Sequence, residues 1–341
     1  MRNVNRKLES TLGSNVYNAG INDRQSIFHL FDDSSWIWIG LVALFAASAA
    51  IAPGTVSRSS LLAMLPFAAI LAIVATGQTL VIQQRGIDMS AAGMIALGGV
   101  LMARVAMESG SLLSAACLAI CCSVIIGALN GFLVSKIAIT PLVATLAVNA
   151  LLTGAVRAFT GNVPISVTPF MQVIAHANPA GVPACAIFAG FFIAFGWVVI
   201  RKTTLGRRFV AAGVNAGAAQ AAGVRVVKVQ IAAYCASATC FSVAGMLLAG
   251  YVGSASQALG NGYLLPAIAA VVLGGTPFTG GKGSVIASAA AALFMAQLGQ
   301  LALALGAGPA VQLLVQAGAI LIATTAKVLP TTIRALGLRT K

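Results

Sequence analysis

The sequence predicts an all-α, polytopic membrane protein, and three observations carry that prediction. The first is composition: 59% of the 341 residues are hydrophobic and 8% are charged, with a mean hydropathy of +0.98. A soluble domain averages about 45–50% and about 25%. The second is run length, because apolar stretches of roughly 20 residues, enough to cross a bilayer as helix, follow one another with little between them. The third is where the charge falls. A net charge of +14 would suggest nucleic acid in a soluble chain. Here the basic residues sit in short loops between apolar runs, which reads as topogenic charge. No length remains for a soluble catalytic domain, and no nucleic acid is expected.

Residues 1–35 are polar and mixed in charge. Arg2, Arg6 and Lys7 are not followed by an apolar h-region, so the stretch reads as a cytoplasmic N-terminal segment rather than a signal peptide. Trp36 and Trp38 open the first span with rings suited to a membrane interface. Ten candidate spans follow, at about 36–52, 61–83, 87–107, 112–135, 142–158, 183–200, 229–251, 262–275, 284–305 and 309–326. They define a transmembrane domain over 36–326 and a cytoplasmic tail over 327–341. The eighth is too short to cross an approximately 30 Å core alone. It and the stretch around Pro141 are candidates for broken or re-entrant helices, tolerated only where protein covers them. The proline-studded loop 161–182 reads as a cap on the outer mouth or a surface that meets a partner, and at least as readily as a plain connector.

Ten spans put both termini on one side, and the charge chooses the cytoplasm. That orientation places 17 of the 20 basic residues inside, leaving Arg58, Arg104 and Arg157 outside or near the outer face. The span faces are rich in Ala and Gly, as in Ala91-Ala92-Gly93, Gly98-Gly99 and Ala287–Ala292. In lipid, such residues let helix backbones approach closely.

The longest polar interruption is Arg201–Lys228. It carries Arg201, Lys202, Arg207, Arg208, Arg225 and Lys228 and no acid. Within it, Gly213–Gly223 reads as a short helix, with Asn215 as its N-cap and Gly223 as its stop.

Enzyme signatures are missing. There is no HExxH pair, and the six cysteines form no CxxC pair and lie in apolar runs, so no catalytic residue, disulfide or metal site is assigned. The glycine-rich stretch Gly274–Ser284 fails the phosphate-loop pattern. Thr276 stands five before Gly281, and Gly283 stands where Ser or Thr should follow Lys282. It reads as a tight turn between spans. Of the six acids only Asp88 approaches a span interior. It reads first as an N-cap of the third span with help from Ser90, and second as a substrate or gating group. Neutral polar side chains in the spans suit a hydroxyl-rich ligand or interhelical hydrogen bonds. Gln78, Asn149, Gln297 and Gln300 are the candidates for a substrate pathway.

Four stretches resemble the permease subunits of monosaccharide ABC importers of the ribose/xylose type. Arg85-Gly86-Ile87-Asp88-Met89-Ser90 with Gly93, Ala96, Leu97 and Gly98 is similar to the family's GIDLSVG…ALSG signature. Asn130-Gly131-Phe132-Leu133-Val134 with Pro141, Thr145 and Leu146 follows in order, then Thr204–Arg208 through Gly223-Val224. The fourth is Ala267–Thr276 with Gly280, Gly281, Lys282, Gly283 and Ser284.

The resemblance implies a fold like that of the vitamin B12 importer permease, with ten helices and an inverted repeat. It implies a non-enzymatic transport subunit in the inner membrane. Its partners would be a second permease subunit, an extracytoplasmic sugar-binding protein and a cytoplasmic ATPase that holds the ATP and Mg. It places Gly206, Arg207, Arg208, Gly213, Asn215, Ala218, Ala219 and Gly223 in a coupling loop to that ATPase. It makes Gly86, Asp88, Ser90, Asn130, Gly131, Gly274, Gly275, Gly280, Gly281 and Gly283 motif or gating positions. The family's coupling helix reads roughly GNEEAARLSGI; the charges in that pattern are absent from residues 213–224 of this chain. Rival readings are the same machinery with a branched-chain amino acid or nucleoside as cargo, an ion-coupled carrier working alone, and a membrane-embedded enzyme. The lack of intramembrane carboxylates argues against the carrier.

Overall fold

A computed structural model describes residues 35–308, 310–319, 321 and 325; the N-terminal segment and the C-terminal tail read from the sequence lie outside them. The helices in order are α1 (Ser35–Ile51), α2 (Arg58–Gln83), α3 (Ala91–Ser109), α4 (Leu112–Ser135), α5 (Pro141–Thr160) and α6 (Pro169–His176). Then come α7 (Ala184–Lys202), α8 (Thr204–Val214), α9 (Ala216–Ala221), α10 (Val226–Val252), α11 (Leu264–Leu273), α12 (Val285–Ala304) and α13 (Ala310–Ala319). Seven of them (α2, α3, α4, α5, α7, α10 and α12) are long and apolar enough to cross a membrane, and α1, α11 and α13 are shorter apolar helices. The chain is thus an all-α polytopic membrane protein. Its one sheet among the described residues is a two-stranded clip, Ile165–Ser166 (β1) against Ser254–Ala255 (β2).

Helix α10 is the hub, packed against α2, α3 and α4. Small residues make this geometry: a Cβ placed on Gly245 would lie 2.0 Å from the Ile95 carbonyl oxygen of α3, and one on Gly98 2.5 Å from the Ser242 carbonyl oxygen. Backbones this close gain dispersion contacts that larger side chains would forbid. Phe241 and Tyr234 fill the space between, both fully buried.

One stretch differs from the sequence reading, and a second takes one of the alternatives read for it. Pro141 does not break a helix; it occupies the first turn of a continuous α5, where its missing N–H costs no hydrogen bond. Loop 161–182 is a folded cap on the end of α10. His176 stacks on Tyr251 at 4.5 Å, its Nε2 lies 3.0 Å from the Tyr251 carbonyl oxygen, and β1 pairs with β2 just beyond α10.

Helices α2 and α12 pack side by side and run antiparallel, which separates two regions. At one end Gln83 and the loop before α12 meet, since the Gly281 N–H donates to the Gln83 carbonyl oxygen at 2.9 Å. At the other, Gln300 near the end of α12 donates to the Thr55 and Ser60 carbonyl oxygens beside the start of α2, at 3.4 and 3.2 Å.

Candidate functional site

The first region is a junction of three segments. Its polar frame is the α2–α3 connection, where Gln84 Nε2 donates to the Phe209 carbonyl oxygen at 2.8 Å. Arg85 Nε donates to the Gly213 carbonyl oxygen at 3.0 Å, and Arg85 Nη2 to that of Val214. The guanidinium thereby takes carbonyls at the C-terminal end of α8, which no amide of that helix satisfies and where a cation suits the helix dipole. The glycine-rich stretch forms the third side. It is not a tight turn but an eleven-residue folded loop, Gly274–Ser284, between α11 and α12. A Cβ on Gly281 would lie 2.8 Å from Val214 Cα, and one on Gly213 2.2 Å from the Gln83 carbonyl oxygen. Gly213 and Gly281 are therefore points of backbone approach that fasten α8 to the membrane helices.

The remaining residues that the resemblance assigns to a coupling loop fall around this junction. Thr203 accepts from the Gly206 N–H at 3.1 Å to start α8, and Gly206 packs against the Val199 and Ile200 carbonyls. Asn215 Oδ1 accepts from the Ala218 N–H at 3.0 Å, capping α9, and Gly223 at φ +81° ends the turn. Ala219 is buried, whereas Arg207 and Arg208 are exposed. The short capped helix is thus present, but the sequence reading missed that Thr204–Val214 is itself a helix stapled to the core.

Above the junction lies a buried polar knot. Asp88 Oδ1 accepts from the Ser90 N–H at 3.0 Å and from Ser90 Oγ at 2.5 Å, and Oδ2 accepts from Ser237 Oγ at 3.5 Å. Ser90 Oγ accepts in turn from Asn130 Nδ2 at 3.0 Å. The cap position of α3 is Ser90, not Asp88; the carboxylate takes the Ser90 amide from two residues before. One amide just before α3 and one in its first turn are held from α5. Thr145 Oγ1 accepts from the Met89 N–H at 2.9 Å and Asn149 Oδ1 from the Gly93 N–H at 2.8 Å. With its amide oriented to match its neighbours, Gln78 donates to the Asp88 carbonyl and accepts from the Asp88 N–H, both at 3.2 Å. Gly86 and Gly131 keep α10 close, where Cβ atoms would meet Tyr234 Oη at 2.5 Å and Ile231 Cα at 2.6 Å. Gly274 abuts Ser288 of α12, and Gly275 and Gly280 hold positive φ in the glycine loop. Gly283 sits against the Gln83 amide.

The second region, at the far end of α2 and α12, is a cavity of about 510 Å³ walled by α2, α11, α12 and α13. Its polar groups are Ser60, Tyr263, Gln300, Gln312 and Gln316, its open aromatic face is Phe67, and no charged residue lines it. Pro266, Met295 and Gln316 also wall an adjoining apolar cavity of about 770 Å³ that reaches Phe278 of the glycine loop. The two cavities together form a cleft running from the amide-lined end toward the junction.

Of the four side chains read as a substrate pathway, Gln300 alone lines this cleft. Gln78 and Asn149 are committed to backbone groups, and Gln297 is fully buried with both amide atoms unpartnered. Tyr263, Phe67 and Gln316 escaped the sequence reading. The four-residue spacing of Gln312 and Gln316, which puts both on one helix face, is the signal that could have found the last.

Comparison with known proteins agrees with this architecture. Residues 60–324 match the family described as branched-chain amino acid transport system / permease component. The chain is 33% identical over 291 residues to the ribose import permease protein of Escherichia coli (strain K12), covering 84% of this chain and 90% of that one. It is 31% identical over 289 residues to the ribose import permease protein of Bacillus subtilis (strain 168), covering 84% and 90%. To the autoinducer 2 import system permease protein of Enterobacter sp. (strain 638) it is 30% identical over 263 residues, 76% of each chain. No solved structure matches. Helices, junction and sequence together make this chain a multi-pass inner-membrane transport component rather than an enzyme, and it belongs to the family of ABC importer permease subunits that includes the ribose import permeases.

Proposed function

We propose that this chain is the membrane-spanning subunit of an ABC importer for a sugar or similar polyhydroxylated solute, moved by alternating access. The observation that carries this reading is the cleft whose polar lining is amides and hydroxyls with no charged group. Amides donate and accept at once, which suits hydroxyls, and an open ring face such as that of Phe67 suits the C–H face of a sugar. A branched-chain amino acid, the cargo in the family's description, would call for groups complementary to both its charges. Similarity to ribose import permeases supports the same choice.

In this reading ten helices cross the membrane in a vitamin B12-importer-permease-like fold, with both termini in the cytoplasm. The transmembrane domain spans 36–326, between a cytoplasmic segment at 1–35 and a tail at 327–341. The junction faces the cytoplasm and the amide-lined end faces out. A sugar-binding protein delivers solute to that outer end, and a second permease subunit, of the same or a different chain, completes the pathway. A separate ATPase binds ATP and Mg and docks on 201–228, with Arg207 and Arg208 presented to it. Force applied to α8 reaches α2 through Gln84 and Arg85, and reaches α12 through Gly281. The motif residues Gly86, Asp88, Ser90, Asn130, Gly131, Gly274, Gly275, Gly280 and Gly283 keep this linkage stiff.

The test is Arg207→Glu with Arg208→Glu, followed by purification in mild detergent. The expected result is normal membrane insertion with loss of the co-purifying ATPase. Unchanged ATPase recovery would refute the docking role. Purification of the chain alone, still moving solute in liposomes without ATP, would replace the importer reading with an ion-coupled carrier.

A further inference from the structure

Beside the junction lies a separate cavity of about 290 Å³. Its walls include Arg201, Lys282, Ser284, Gln83, Gly283 and Val210. Two cations meet there, and no acid lines the cavity. Among the described residues the only acids are Asp88 and Glu108, the first committed to the polar knot and the second paired with Arg104. The backbone contributes as well. Positive φ at Gly280 and Gly281 turns the chain into the start of α12, and among the described residues the N–H groups of Lys282, Gly283 and Ser284 have no acceptor. Successive free amides at the beginning of a long helix favour an anion.

A further observation points to a ligand. Gln83 is 2% exposed, its amide oxygen has no partner, and its side chain lines the cavity. With no bond holding either amide atom, its NH₂ can face an anion without loss.

The surroundings identify the source of that anion. Arg201 ends α7, whose Phe191, Phe195, Trp197 and Val198 are exposed and form an apolar surface leading to the cavity. Lys202 Nζ lies 5.5 Å from the Trp197 ring centroid, an arrangement typical of a bilayer interface. A free phosphate would need only the polar walls; a phospholipid would use the apolar approach too.

We infer that this cavity binds the phosphate of an anionic phospholipid, whose acyl chains lie along α7 and whose headgroup sits between α7, α8 and the glycine loop. The lipid would brace α8 and the loop against each other from the membrane side.

The probe is the subunit purified in mild detergent from membranes containing phosphatidylglycerol and phosphatidylethanolamine, with bound lipid quantified by mass spectrometry. Phosphatidylglycerol should be enriched over its share of the membrane. Lys282→Gln and Arg201→Gln should each lower its retention roughly fivefold. Both side chains are exposed, so folding is not at stake, and Arg207→Gln, outside the cavity, should leave retention unchanged. No enrichment in the wild type, or retention at the wild-type level in both cavity variants, would overturn the site. Release of the lipid by millimolar inorganic phosphate would assign the pocket to a free anion and overturn the lipid.

Discussion

Asp88 shows how the functional motif works at the scale of single residues. Its carboxylate, its N–H and its carbonyl are all bound, by Ser90 and Ser237 on one side and Gln78 on the other. Gln78→Leu would keep the volume and strand two buried backbone groups. We expect a stability loss of about 1–3 kcal/mol, read as a lower Tm in detergent; an unchanged Tm would argue against the clamp. Asn149→Ala should cost about 1 kcal/mol, the usual value of a lost helix cap, although the residue lies on another helix. The motif was legible because the sequence holds it in one run, Arg85–Ser90. Its partners were not, because Gln78, Asn130 and Asn149 come from three helices and only their packing says which polar groups face one another. From sequence alone, Asn149 was a candidate for solute contact, and the structure commits it to the Gly93 N–H.

At the scale of elements, α8 is a helix fastened at one end, which suits the lever role proposed for it. Its C-terminal carbonyls are held by Arg85, Phe209 is held by Gln84, and Gly213 rests on Gln83. Gly213→Val would force the two backbones apart. The expected outcome is a subunit that inserts and still recovers the ATPase through its exposed arginines, with ATP hydrolysis no longer giving uptake in proteoliposomes. Retained coupling would show that the contact transmits nothing. The segment was partly readable: the basic residues, Asn215 and Gly223 marked a polar loop with a capped helix. Thr204–Val214 is hard to see as a helix in the sequence because two glycines and two arginines stand among its eleven residues, and its stability comes from the contacts at its end.

For the whole molecule, the antiparallel run of α2 and α12 places the basic junction and the amide-lined end of the cleft at opposite ends. In the proposed importer this separation would give the solute an entrance remote from the ATPase. In a cysteine-free background, Leu303→Cys should react with an impermeant thiol reagent from outside intact cells, and Arg208→Cys only after the membrane is opened. The reverse pattern would invert the orientation. Gln300→Ala with Gln316→Ala should raise the KM for solute about tenfold or more, as expected for lost hydrogen bonds in a polar site, while leaving ATPase assembly intact. An unchanged KM would move the pathway elsewhere.

Composition and run length determined by themselves that this chain is a helical membrane protein, and its motif-bearing stretches carried the resemblance to its family; the orientation of the loops rests on charge placement. These properties are local: a bilayer demands apolar length and satisfied backbone wherever a segment crosses it. The tertiary structure alone decided which glutamines face a cavity, that the glycine loop and α8 share one junction, and that Asp88 is a bound strut between helices. Those facts depend on the rotation and spacing of one helix against another, which close contacts such as Gly245 on Ile95 set and no single stretch encodes.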